Sequence, residues 1–187
     1  MDGYFFPPPG EHDVIVFKDD ARQFSIEAPD ESMPWEYALR TAVGMVFLYG
    51  AVDDVPDRFR ILGVQDPDGN YLGFRYSADA IGMTRPLEWV EINHPDRWVK
   101  FDHDNHGRIK RITDYIGRAW VYEYDDFGDL VAFTAPATER YPDGHTERYV
   151  YSSASQVGEL QHNIMQVYDT AGRLYLENEY GTAPGQL

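Results

Sequence analysis

This chain contains no cysteine, which excludes disulfides, thiolate catalysis and cysteine-ligated metal and fits folding in a reducing compartment. Positive charge is also scarce: sixteen Lys and Arg stand against thirty-two Asp and Glu, a formal charge of -16 over 187 residues. That balance repels a phosphate backbone and an anionic lipid surface, so no nucleic-acid partner is expected. The most apolar stretch, Ala42 to Val52, is too short to span a bilayer, and no transmembrane segment is expected. Residues 1–20 lack a basic start followed by an apolar run, so no conventional secretory signal is read there. Location is otherwise open. Glycines occur singly, without dinucleotide or phosphate-loop spacing, and Ser152-Ser153-Ala154-Ser155 lacks a strained nucleophile elbow.

What the chain has in quantity is aromatic side chains: Tyr 14, Phe 10 and Trp 4, which favour cross-strand stacking in sheets over an all-helical bundle. Between them the pattern Asp-x-x-Gly recurs, among its occurrences Asp66 to Gly69, Asp104 to Gly107, Asp114 to Gly117, Asp125 to Gly128 and Asp169 to Gly172. Asp first and Gly fourth suit a tight turn, because the carboxylate accepts a local backbone hydrogen bond and Gly tolerates the left-handed geometry that follows. Each is therefore expected to join two strands of a hairpin.

Along the chain, Val14 to Phe17 and Gln23 to Ile26 read as short strands, after an extended or irregular opening over Met1 to Gly10. Ser32 as a cap and Pro34 in a first turn predict a short amino-terminal helix over residues 33–49, with a strand pair across Ala42 to Ala51 as the competing reading. From Arg58 the pattern is steadily β, with strands at Phe59 to Val64, Tyr71 to Tyr76, Trp89 to Ile92, Trp98 to Phe101, Arg108 to Thr113, Ala119 to Tyr124, Leu130 to Thr134, His145 to Tyr151, Met165 to Tyr168 and Arg173 to Glu177. The organisation expected is an amino-terminal region over residues 1–57, a repeat region over 58–180 and a tail over 181–187. The fold class is mainly β, an antiparallel meander.

A repeat underlies the strands. Phe101, Asp104 and Gly107 recur at Tyr122, Asp125 and Gly128, a shift of about 21 residues at all three positions. Tyr149 and Tyr151 resemble the pair Tyr122 and Tyr124, and Tyr168-Asp169-Thr170-Ala171-Gly172-Arg173-Leu174 closes the series. Units of one hairpin must stack on neighbours to bury a core.

These units resemble the YD repeats of Rhs, teneurin-like and Tc-toxin shell proteins. Tyr122-Glu123-Tyr124-Asp125-Asp126-Phe127-Gly128-Asp129 fits the tyrosine-aspartate-glycine unit, with Asp129 where that pattern has Arg or Asn; the Phe101 to Ile109 stretch fits with Phe and His replacing tyrosines. The resemblance covers about residues 70 to 180 and implies a slice of a spiralling β shell, within which some family members hold a toxic polypeptide. It further implies partners: another YD-repeat polypeptide or the remainder of a larger shell, with a toxin as cargo. The chain would then be a cleaved fragment, an assembling subunit or a small sheet of its own. No self-cleavage motif of that family is matched.

Candidate chemistry is weaker. Asp102, His103, Asp104 and His106 carry metal-binding groups, but strand alternation sends His103 to the face opposite Asp102, and the turn consumes Asp104. Glu123, Asp125, Asp126 and Asp129 supply paired carboxylates, yet hydrolysis needs one held protonated, and turn carboxylates are wet and ionised. Neither a catalytic residue nor a cofactor is assigned, and an enzyme is not expected. Trp89, Trp98 and Trp120 are read as a platform for sugars or a partner, the basis of an alternative carbohydrate-binding or adhesive role, against cross-strand stacking as the plainer reading.

Overall fold

The computed structural model describes residues 13–19, 26, 33–52, 58–78, 85–93, 96–152 and 161–180. Thirteen strands follow one another: β1 Val14–Phe17, β2 Tyr37–Arg40, β3 Val46–Ala51, β4 Phe59–Gln65, β5 Tyr71–Tyr76, β6 Leu87–Ile92, β7 Trp98–His103, β8 Ile109–Asp114, β9 Ala119–Tyr124, β10 Leu130–Ala135, β11 His145–Tyr151, β12 Ile164–Tyr168 and β13 Leu174–Glu177. Neighbours in the sheet are neighbours in sequence, so the fold is the expected antiparallel meander. Among the described residues no helix is long and apolar enough to cross a membrane. The strands expected at Val14 to Phe17, Tyr71 to Tyr76, Ala119 to Tyr124 and His145 to Tyr151 form with those bounds. Met1 to Gly10 and all of Gln23 to Ile26 except Ile26 lie outside the described residues.

The expected helix over residues 33–49 is not there. Met33 to Glu36 run without regular structure, and β2 and β3 form a hairpin around Thr41 to Met45. Alternation explains why. In a helix, Val43, Val46, Phe47 and Leu48 crowd apolar bulk onto several sides; in a strand they sort cleanly, with Val46, Leu48 and Gly50 buried and Phe47 and Tyr49 on the other face. The glycine that weakened the helix supplies the turn: Gly44, at φ +86°, donates to the Thr41 carbonyl, while the Thr41 hydroxyl accepts from the Met45 amide. The hairpin thus begins at Tyr37, earlier than the competing strand reading over Ala42 to Ala51.

The chain packs as two compact units, residues 1–100 and 101–187. The first has an apolar core in which Val16, Ala38, Val46, Leu48 and Leu62 of the sheet meet Ile26 and Trp35, with Val14, Met33 and Tyr76 at its margin. Burying one such aliphatic side chain contributes about 1.5–3 kcal/mol. Among its described residues the second unit buries few side chains: Ala132 and Val167 among the apolar ones, and Asp114 and Asp129 among the charged. Most of its strand residues are half-buried, so its order leans more on turn and edge hydrogen bonds.

A contrast between two glycines tests this packing. A Cβ on Gly50 would lie 2.5 Å from Leu62 Cδ1 and 2.6 Å from the Pro34 carbonyl oxygen, whereas one on Gly172 would meet nothing within 4 Å. Gly50→Ala is expected to cost about 2–3 kcal/mol through overpacking against fixed backbone. Gly172→Ala, which bears only the left-handed backbone cost at φ +74°, should lose about 1 kcal/mol. Denaturant unfolding of both variants checks the order; equal losses would contradict it.

Candidate functional site

The Asp-x-x-Gly segments at Asp66, Asp104, Asp114, Asp125 and Asp169 adopt one geometry. In each, the glycine amide donates to the aspartate carbonyl at 2.9–3.1 Å, and the aspartate amide donates to the carbonyl of the residue after the glycine at 2.9–3.0 Å. The glycines lie at φ between 74° and 94°, a region closed to most side chains, which lets a three-residue hairpin loop end in a bulge. The carboxylate completes the loop. Asp104 Oδ1 accepts from the amides of His106 at 2.8 Å and Arg108 at 2.9 Å, while Oδ2 accepts from Arg108 Nε at 2.7 Å.

That arrangement repeats at Asp114 with Arg118 (2.7 Å) and at Asp169 with Arg173 (2.8 Å), and with Asn70 Nδ2 donating to Asp66 at 2.7 Å. Burial alone pushes the Asp104 carboxyl up, but the Arg108 hydrogen bond, the Arg108 and His106 amides and the Arg108 charge hold it down at about 2. At Asp114 the same contest between burial and Arg118 ends below the ordinary range. Asp169 is lowered foremost by its hydrogen bond from Arg173, and Asp66 by that from Asn70. These are ionised acceptors with their lone pairs occupied, the reverse of a general acid.

The fourth turn departs from the pattern. Asp129 stands where the others place Arg or Asn; Asp125 Oδ1 still accepts from the Phe127 and Asp129 amides at 2.9 and 3.0 Å. The buried Asp129 meets His162 instead, Nδ1 to Oδ1 at 2.8 Å, and His162 sits at φ +63°. Burial, followed by the charges of Asp129 and Asp125, raises the Tyr151 hydroxyl. Spacing along the chain gave no sign of a contact across 33 residues.

Tyrosines form the second recurring element. Tyr124 Oη donates to the Ile109 carbonyl at 2.9 Å while the Arg108 guanidinium lies 4.4 Å from the centre of its ring. One earlier hairpin repeats both contacts: Tyr76 Oη donates to the Ile61 carbonyl at 2.9 Å, and Arg60 lies 4.6 Å from the Tyr76 ring centre. Tyr180 Oη donates to the Ile164 carbonyl at 3.0 Å. Tyr124, the last residue of β9, thus bonds the first carbonyl of β8; Tyr76 ends β5 and bonds the third residue of β4, while Tyr180 lies three residues past β13 and bonds the first residue of β12, and in the first two cases an arginine covers the ring. Sequence spacing predicts cross-strand stacking for repeat aromatics such as Tyr124, and nothing in it marks the hydroxyl bonds to these carbonyls.

Other repeat aromatics play different parts. Tyr122 packs against Phe133 across β9 and β10 at 5.3 Å between centroids. Tyr149 donates to Glu147 at 2.9 Å, and burial, followed by that bond, pushes its hydroxyl up to about 12. Tyr168 donates to Gln166 at 2.7 Å, and Phe101 lies half-buried in β7. Trp89 and Trp98 stack on one another with centroids 4.2 Å apart, and Trp120 in β9 lies beside the Arg118 guanidinium at 5.6 Å. Among the described residues no three His, Asp or Glu side chains converge as a metal would require.

A hairpin-repeat sheet whose turns are built by aspartate and glycine defines a class of structural repeat. Residues 103–146, which carry the turns at Asp104, Asp114 and Asp125, match the family model described as RHS Repeat, in agreement with the resemblance read from the sequence. A comparison with curated proteins finds no match.

Two measurements check the geometry. Removing only the hydroxyl, Tyr124→Phe should cost about 1 kcal/mol by stranding the Ile109 carbonyl, and Tyr124→Leu more, because the ring under Arg108 goes too. Equal losses would deny the ring a role. Since the Asp104 carboxyl sits lower when folded, at about 2, than the roughly 4 of an unfolded chain, its contribution is complete above about pH 4 and lost as pH falls toward 2. Acid unfolding of the wild type should therefore steepen in that window, and Asp104→Asn should flatten it; identical profiles would contradict the role given to Asp104.

Proposed function

We propose that this chain is a structural component of an RHS-repeat shell that encloses or presents a secreted toxin or effector, and that it performs no catalysis itself. The observation that carries the proposal is the row of aspartates whose carboxylates are spent on turn amides and arginines, in a segment matching the RHS repeat. A structural role accounts for every one of them, whereas a hydrolase would need at least one carboxyl held protonated. The partner that follows is a further repeat polypeptide, because hairpin units gain stability by stacking on units like themselves.

The carbohydrate-binding alternative has less support. Trp89 and Trp98 each give one ring face to the other, and the Trp120 ring lies by Arg118. A sugar platform predicts glycan-array binding that disappears in Trp98→Ala with the fold intact.

The shell proposal predicts that the gene lies within or beside a longer reading frame of similar repeats, and that the chain co-purifies with a larger repeat polypeptide from its native cell. A solitary monomer from a cell encoding no other such repeats would contradict it.

A further inference from the structure

The last described strand carries an edge for which β8 and β4 each show one particular way of being covered. β13 pairs with β12, and among the described residues no strand follows it. All four of its residues are exposed, with Leu174 at 45%, Tyr175 at 59% and Leu176 at 42%. Apolar edges of this kind are sites of strand addition. The residues that begin the strand identify the strand that fits.

Arg173 directly precedes Leu174, the first residue of β13, after the Asp169 turn, as Arg108 directly precedes Ile109, the first residue of β8, after the Asp104 turn. Arg173 bonds Asp169 as Arg108 bonds Asp104. At β8, the strand added on the far side is β9, running antiparallel, and its register of Arg111 with Val121 carried to the strand ends brings Tyr124 opposite Arg108. The Tyr124 ring then lies under the guanidinium and its hydroxyl bonds the Ile109 carbonyl. β4 and β5 place Arg60, Ile61 and Tyr76 in the same relation. At β13 the guanidinium is in place, its side chain 80% exposed.

We propose that the β13 edge receives an antiparallel strand of a further repeat unit lying outside the described residues, and that this strand carries a tyrosine which lies under Arg173 and donates its hydroxyl to the Leu174 carbonyl. Two contacts made twice within the chain set the occupant's direction, register and one obligatory side chain. A second copy of this chain fits poorly, since each copy carries a formal charge of -16 and Glu177 and Glu179 stand at this end of the sheet. The inference rests on the shell proposal for its setting and adds which edge is joined and by what chemistry.

A labelled peptide of residues 118–125 serves as the probe, because it is the strand that completes β8. It should bind the full chain in fluorescence anisotropy and slow hydrogen exchange at β13 amides. Arg173→Ala in the protein, or the Y124A change in the peptide, should each weaken binding at least tenfold, with little further loss when combined. Arg173→Lys keeps a cation for Asp169 and hence the turn, and should still weaken binding severalfold because a lysine lacks the planar face. Binding no tighter than that of a scrambled peptide, protection away from β13, or fully additive losses would overturn the proposal, as would a homodimer of the chain joined through β13. If the chain co-purifies with a larger repeat polypeptide while β13 amides stay unprotected, the edge assignment fails and the shell proposal stands. If the peptide binds as described but no such partner exists, the reverse holds.

Discussion

The structure depends on what one carboxylate does inside a tight hairpin loop. One oxygen of each turn aspartate accepts two backbone amides, and in three of the five turns the other accepts an arginine Nε four residues on. The loop amides that point inward are satisfied locally, and the glycine supplies the backbone reversal that lets two strands leave in register. With few side chains buried among the described residues of 101–187, these loops and the sheet hydrogen bonds between them carry much of the specificity of pairing. The arginine does two jobs at Asp104: it neutralises the carboxylate and covers the tyrosine that closes the next strand.

Charge follows from the same device. A net charge of -16 is high for a chain of this size, yet the aspartates at positions 104, 114 and 169 are paired where they stand, so the surplus lies elsewhere. Self-repulsion of this size discourages association between copies and favours partners that bring complementary groups. The function proposed here therefore belongs to the sheet as a building element, with its chemistry directed at joining strands.

Much of this was legible beforehand because period-two alternation and Asp-x-x-Gly are local signals. The strands from β4 onward and the turns at Asp66, Asp104, Asp114, Asp125 and Asp169 could be read from them. The helix expected over residues 33–49 failed because Ser32, Pro34 and a run of apolar residues satisfy helical and strand patterns alike. Only the register of Val46, Leu48 and Gly50 against Leu62 and Trp35, a tertiary fact, separates the two. The tyrosine hydroxyl bonds at Ile61, Ile109 and Ile164 escaped for a similar reason: a side chain's reach to a carbonyl across a strand pair depends on register. The Asp129–His162 pair spans 33 residues and leaves no trace in spacing, although Asp129 in place of Arg or Asn already marked that turn as different.

The claim on which the rest stands is that the turn aspartates are ionised structural acceptors. Carbon NMR titration of the aspartate carboxyl groups in the folded chain measures this residue by residue. The account predicts Asp104 to titrate at about 2 and Asp66, Asp114 and Asp169 also below the ordinary aspartate value. Titration of Asp104, Asp114 or Asp169 at or above that value would contradict it, and would reopen these carboxyls as proton donors.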